Sequence, residues 1–319
     1  MSNLFMELKS KIMNKGIRIV FPESGDKRVY DAAMRLADES LITPILIGDK
    51  EKFGDQINNK FTVINPNTYP DYDKMVEAFV DRRKGKVTKE QAEELLKSPN
   101  YFGTMLVYMN EAEGLVSGAT HSTADTVRPA LQIIKTKPGL SRTFGYFVMV
   151  RDQEKYLMGD CAINPNPSSS DLAEFAIESA RIAPAYDIDP RVAMLSFSTN
   201  GSAVTDETKK VKEATEIAKK NAPELAIDGE MQFDAAFIES VGKSKFPGSN
   251  VAGNANVFIF PDLNSGNIGY KIAQRLGGFE AVGPFLAGLN SPVNDLSRGC
   301  NSEDVYKTAI VTAAQSLTK

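Results

Sequence analysis

Apolar and polar positions along this chain switch between two periods. Ile17 to Phe21 is a short apolar run of strand length, Pro22 to Asp26 is rich in turn formers, and Arg28 to Asp38 places apolar residues at helical spacing. Pro44 to Ile47 and Phe61 to Ile64 read as further strands. Two charged helices follow, Lys74 to Lys84 and Lys89 to Lys97, the second opened by Thr88 with Gln91 three residues on, a capping-box pattern. A helix, a strand at Gly114 to Ser117, a loop of small residues and a helix from about Ala124 complete the first half. This alternation predicts a parallel sheet covered by helices.

Lys135 to Ser141 reads as a crossover into a second domain. Phe144 to Val150 and Tyr156 to Ile163, separated by RDQEK, predict a hairpin and so a mixed sheet. Helices are expected over Asp171 to Ile182, with Ser168 to Ser170 as caps, and over Asp206 to Lys220 and Ile268 to Leu276. Strands are expected at Val192 to Phe197, Ala226 to Ile227, Val257 to Phe260 and Ala281 to Phe285. The last apolar run, Val282 to Leu289, leads into SPVNDLSRGCNSEDVY and then an amphipathic run, Val305 to Leu317. That pattern predicts strand, loop and helix, with Asn301 or Ser302 as N-cap. The closing helix has two possible homes, one in each domain.

A length of 319 residues suits two domains, and 42% hydrophobic residues is a globular composition. The net charge of -4 offers no overall attraction for nucleic acid or an anionic membrane, so an anionic ligand must be held by local charge. Cys161 and Cys300 lack zinc-ligand spacing and make no disulfide framework, which fits a reduced, cytoplasmic protein. The N-terminal MSNLFMELKSKIMNKG alternates charge with apolar residues and is expected to form a short surface helix rather than a signal peptide or membrane span.

Chemistry concentrates in two stretches. Residues 291 to 306 combine a hydroxyl at Ser297, a guanidinium at Arg298, a thiol at Cys300 and a carboxylate at Asp304, on a loop of the kind that binds ligands at the carboxyl ends of strands. Residues 114 to 128, GLVSGATHSTADTVR, offer close backbone approach to an anion, with hydroxyls at Ser117, Ser122 and Thr123 ahead of a helix N-terminus and Arg128 one turn inside. The competing reading is an ordinary capped turn. His121 is the single histidine, yet no GxSxG elbow surrounds any serine, and a satisfied, non-catalytic role is expected for it. Arg82 and Arg83, with Lys84 and Lys86, either complement a helix C-terminus or grip a distant phosphate. For Asp304 to deprotonate a thiol at reference pKa values costs roughly 6 kcal/mol, so its surroundings or the thiol's must narrow the gap.

GLVSGATHSTADTVRPALQIIKTKPG, NPNPSSSDLAEFA, KFPGSNVAGNANVFIFPDLNSGNIGYKIAQRLGG and GPFLAGLNSPVNDLSRGC together resemble the bacterial phosphate acetyltransferases (phosphotransacetylases) in their compact form, along essentially the whole chain. The resemblance implies reversible acetyl transfer between acetyl phosphate and coenzyme A by direct thiolate attack in a ternary complex. It implies an α/β fold of two domains with mostly parallel, helix-covered sheets like those of the isocitrate and isopropylmalate dehydrogenases, and an active site in the interdomain cleft. Residues 1–138 with 287–319 would form one domain and 139–286 the other. Asp304 would be the base for the thiol, Arg298 would bind the phosphoryl group, and Ser297 would donate to the developing oxyanion. Arg128, Arg82, Ser122 and Thr123 would contact CoA or phosphate, and Cys300 would not be the nucleophile. No metal or permanently bound cofactor is implied, coenzyme A being a substrate. The implied partners are small molecules and a second copy in a homodimer, with no nucleic acid or membrane. A phosphate butyryltransferase is the runner-up. Behind it stand a nicotinamide-dependent dehydrogenase of related fold, disfavoured by the missing GxGxxG, and a non-catalytic binding protein, disfavoured by the intact Ser297, Arg298 and Asp304 set.

Overall fold

Helix α1 (Asn3–Ile12) precedes β1 (Arg18–Phe21), α2 (Lys27–Asp38), β2 (Thr43–Ile47), β3 (Thr62–Ile64), α3 (Tyr72–Arg83), α4 (Lys89–Leu96), α5 (Pro99–Tyr108), β4 (Gly114–Ser117) and α6 (Thr123–Pro129) in the computed structural model, which describes residues 3–51 and 60–317. Then come β5 (Phe144–Arg151), β6 (Glu154–Gly159), α7 (Ser169–Ile182), β7 (Arg191–Leu195), α8 (Asp206–Asn221), β8 (Ala226–Met231), α9 (Phe233–Phe237), α10 (Glu239–Lys245), β9 (Val257–Ile259), α11 (Leu263–Arg275) and β10 (Glu280–Ala287). The chain closes with β11 (Val293–Asp295) and α12 (Ser302–Ser316). Two units divide the described residues: one draws on 5–136 and 289–317, the other on 3–4 and 137–288.

The first unit has a fully parallel sheet in the order β11-β4-β1-β2-β3. Ile19, Val20 and Phe21 of β1 are buried, as a central strand covered on both faces requires. The second unit has a mixed sheet in the order β10-β5-β6-β9-β7-β8, whose antiparallel pairs include the expected β5–β6 hairpin. The helices α9 and α10 carry no amphipathic signal long enough to be read from sequence.

Two expectations change. The N-terminal helix is no mere surface element, because Leu4, Phe5, Leu8 and Ile12 are fully buried and form one stripe at helical spacing. Its Lys9 pairs with Glu39, which Tyr306 of α12 also contacts at 2.5 Å. Burial pushes the Glu39 carboxyl up, but Tyr306, Lys9 and Arg35 outweigh it and hold the pKa at about 2.

The second change matters more. The loop carrying Ser297 does not directly follow the apolar run Val282 to Leu289, most of which lies in β10 of the other unit, but a separate strand of three residues. That strand, β11, lies parallel to β4 with Val293 opposite Leu115 and Asp295 opposite Ser117. A Cβ on Gly114 would stand 2.7 Å from a methyl of Thr312 in α12, so only glycine lets that helix press onto the sheet. The closing helix thus has its home in the first unit, where Val305, Ala309 and Ile310 are buried and Thr312 accepts a 2.9 Å hydrogen bond from Asn294. With β1, β4 and β11 side by side and parallel, the segments that follow all three emerge at one edge, the carboxyl end favoured for ligands.

Candidate active site

Glu23 follows β1 by two residues, and its side chain is only 1% exposed. Its carboxylate accepts from the backbone N–H groups of Gly118, Ala119, Thr120 and His121 at 2.8 to 2.9 Å. The Thr120 hydroxyl adds a bond at 2.9 Å, and His121 Nδ1 lies 2.7 Å away. The loop after β4 therefore has the anion-binding shape its small residues predicted, but a carboxylate of the protein fills it, and these N–H groups are not available to phosphate. Burial pushes the Glu23 carboxyl up, while the bonds from His121, Thr120 and Ala119 more than offset it and leave the pKa below the ordinary carboxylate value. Gly118, at φ +113°, makes the turn possible, since a Cβ there would lie 2.5 Å from the Leu296 carbonyl oxygen.

Arg28, in the first turn of α2, binds the loops to one another. It pairs with Asp26 at 2.8 Å and donates from Nη2 to the Ala119 carbonyl at 2.9 Å and from Nη1 to the Arg298 and Cys300 carbonyls at 3.0 and 2.8 Å. One guanidinium thus clamps the loop after β4 to the loop after β11. Nothing in the sequence singled out Glu23 or Arg28, because each acts on backbone groups far away along the chain.

On the clamped loop, Ser297 and Arg298 are exposed. Ser297 Oγ accepts from Gly299 N at 3.2 Å, which leaves its hydroxyl proton to donate outward. The Arg298 side chain has no partner among the described residues. Asp304 is exposed at the third position of α12, where Asn301 is the N-cap, and the two form a capping box, Asp304 Oδ2 accepting from Asn301 N at 2.9 Å. Its other oxygen has no partner among the described residues. Cys300 is buried, and burial pushes its thiol up despite Arg28 nearby.

Ser122 and Thr123 are committed elsewhere. Ser122 caps α6 and donates its hydroxyl to Asp125 at 2.7 Å, and Thr123 donates to Asp295 at 2.6 Å. Burial raises the Asp295 carboxyl above its ordinary value despite the bonds from Thr123 and Thr126.

Arg82 and Arg83, equivalent in sequence, part company in the fold. Arg82 donates to the Ile133 and Ile134 carbonyls at 2.5 and 2.8 Å and lies over the Tyr108 ring at 5.0 Å. Among the described residues Arg83 has only a 3.4 Å contact to the Gln132 carbonyl, and its buried Nε has no acceptor. Arg128 is exposed with no partner among the described residues, and it and Arg83 both act electrostatically on Tyr101. Lys135 has its pKa lowered by burial first and then by Arg82, Lys84, Arg83 and Lys86, so these cations share one region. No carboxylate pairs with any of them among the described residues. On a chain of net charge -4, such a concentration of cations gives this region a local positive charge.

A family model described as phosphate acetyl/butaryl transferase matches residues 3–313. A phosphate acetyltransferase of Bacillus subtilis is 58% identical, with 99% of this chain and 100% of that one covered. Among solved structures, a phosphotransacetylase from Streptococcus pyogenes superposes with a TM-score of 0.95 at 57% identity over 100% of both chains. A branched-chain phosphotransacylase from Enterococcus faecalis shares the fold at a TM-score of 0.65 and 16% identity, covering 95% of this chain and 100% of the other.

Proposed function

Since the chain belongs to the phosphate acetyl/butaryl transferase family, we propose that it is a phosphate acetyltransferase, moving an acetyl group reversibly between acetyl phosphate and coenzyme A. The observation that carries this reading is Arg298, an exposed guanidinium with no protein partner among the described residues, beside the Ser297 hydroxyl on a loop that Arg28 clamps in place. Arg298 grips the phosphoryl oxygens, for which its planar fork is suited, and offsets the charge that builds as phosphate leaves. Ser297 donates to the carbonyl oxygen as it becomes an oxyanion. The unpartnered oxygen of Asp304 takes the CoA thiol proton, and the site's cations narrow the pKa gap by stabilising the thiolate. Transfer is direct. A nucleophilic cysteine needs exposure and a depressed pKa, and Cys300 has neither.

The phosphates of CoA lie along Arg128, Arg83 and the lysines around them. Arg83 replaces Arg82 in this role, because the Arg82 guanidinium is occupied by two backbone carbonyls. The test is thioester formation from CoA with acetyl or butyryl phosphate, followed by ultraviolet absorbance. Wild-type protein should form acetyl-CoA, Asp304→Asn should lose at least about tenfold in rate, and Arg83→Ala should raise KM for CoA about tenfold, the worth of one phosphate contact. Arg82→Ala should instead lower stability by about 2 kcal/mol with a smaller effect on KM. No thioester from either acyl phosphate would sink the reading.

The second copy of a homodimer seats on α11, where Ile268, Ile272 and Leu276 are 57%, 53% and 86% exposed along one stripe. Ile272→Asp should convert the sedimenting species from dimer to monomer, and a wild-type monomer would refute the assignment.

A further inference from the structure

His121 is the single histidine of the chain, and its ring is held in a manner that capping or packing does not require. Nδ1 sits 2.7 Å from the carboxylate of the almost fully buried Glu23, the His121 backbone N–H donates to the same oxygen at 2.9 Å, and the side chain remains 36% exposed. Glu23 meets six donors, more than its lone pairs serve singly, so it acts as acceptor only. Nδ1 is therefore the protonated nitrogen, and Nε2, with no partner among the described residues, is the one presented outward. The loop that carries it is clamped by Arg28, through Ala119, to the loop of Arg298. A buried carboxylate orienting an exposed imidazole is the arrangement of a proton carrier.

Resting on the acetyl-transfer reading above, we propose that His121 is a catalytic residue on the phosphate side of the reaction, protonating the departing phosphate from Nε2 and taking that proton back in the reverse direction. The chemistry demands such a group. When the thiolate sulfur bonds to the carbonyl carbon and the acetyl C–O bond of acetyl phosphate dianion breaks, phosphate departs as the trianion unless a proton meets it. The thiol proton goes to the Asp304 carboxylate, the imidazolium proton goes to the departing oxygen, giving HPO4 dianion, and both groups reset by exchange with water. In reverse, neutral His121 removes the proton from HPO4 dianion as its oxygen attacks acetyl-CoA, and Asp304 returns a proton to the thiolate. Glu23 stabilises the positive ring whenever it holds the proton. Glu23 from the segment after β1 and Asp125 from α6 act on the ring, Arg128 of α6 acts on Asp125, and Arg28 from α2 and Asp295 from β11 act on Glu23.

The form competent for acetyl-CoA formation, imidazolium with the Asp304 carboxylate, and the form competent for acetyl phosphate formation, neutral ring with protonated Asp304, hold the same number of protons. Both directions should therefore lose rate on the alkaline side, as that shared proton leaves. His121→Gln, which keeps a donor toward Glu23, should lower kcat about 100-fold in both directions, leave KM for CoA within about threefold, and abolish the alkaline limb. Imidazole in the buffer should restore part of the rate to His121→Ala. A glutamine variant with kcat within about threefold of wild type, or one that loses rate yet keeps that limb, overturns the proposal. Should that variant fail to fold, a wild-type reaction with an alkaline limb in one direction only, or in neither, would overturn it as well. Wild-type protein that forms no thioester would refute acetyl transfer itself, an outcome separate from an active wild type with an unaltered variant.

Discussion

Arg298→Ala should lower kcat for acetyl-CoA formation about 1,000-fold and leave the melting temperature within about 1 °C of wild type, the range in which loss of a preorganised cation from a charge-developing site falls. The two halves of this expectation come from different atoms. Only the Arg298 backbone carbonyl serves the fold, as acceptor for Arg28 at 3.0 Å, and alanine retains it. The guanidinium has no partner among the described residues, so its removal leaves no buried group unsatisfied. Arg298→Lys should recover part of the rate but not all, because an ammonium supplies charge without the two-pronged fork. Circular dichroism melts beside steady-state rates check both halves. Turnover within tenfold of wild type in the alanine variant would remove Arg298 from the phosphate site.

Glu23→Gln should have the largest effect on stability, about 3 to 5 kcal/mol at neutral pH, measured as a shift in the urea midpoint. The carboxylate is isosteric with the amide, but six donors point at it and glutamine offers one acceptor oxygen and an NH2 group that opposes the rest. The same carboxylate sets a pH dependence. Its folded pKa lies below the ordinary value of 4.5, so its contribution is complete above that value and is lost as pH falls through the folded pKa. Wild type should thus lose this stability between about pH 4.5 and the lower folded value, and the glutamine variant should lose correspondingly less over that window. Equal stability of the two proteins at pH 7 would show that the loop after β4 does not depend on Glu23.

How much of this was legible in the chain follows the distance over which each interaction acts. Three capping boxes, Thr88 with Gln91, Ser168 with Asp171 and Asn301 with Asp304, form between residues three apart and could be read directly, or nearly so, from residue types. The β5–β6 hairpin and the helix over Asp206 to Asn221 were equally local. Arg298 and Ser297 stood out because a guanidinium, a hydroxyl and a glycine adjoining one another in a loop are not what a core needs. By contrast, α9 and α10 are too short for their periodicity to emerge, and the stripe that buries α1 was masked by intervening lysines.

What the amino-acid order determined by itself was therefore most of the longer elements and the reactive groups on the loops after β4 and before α12. The tertiary structure alone decided which of those groups are free to act. It placed β11 beside β4, although nearly 180 positions separate Leu115 from Val293. It filled the anion-shaped loop with Glu23, 95 to 98 positions away, and fastened Arg28 to carbonyls 91, 270 and 272 positions away. It separated Arg82 from Arg83 by giving one of them carbonyls to hold. The physical reason is that helix and turn propensities act within a few residues, whereas the availability of a charged side chain depends on whether folding brings it a partner.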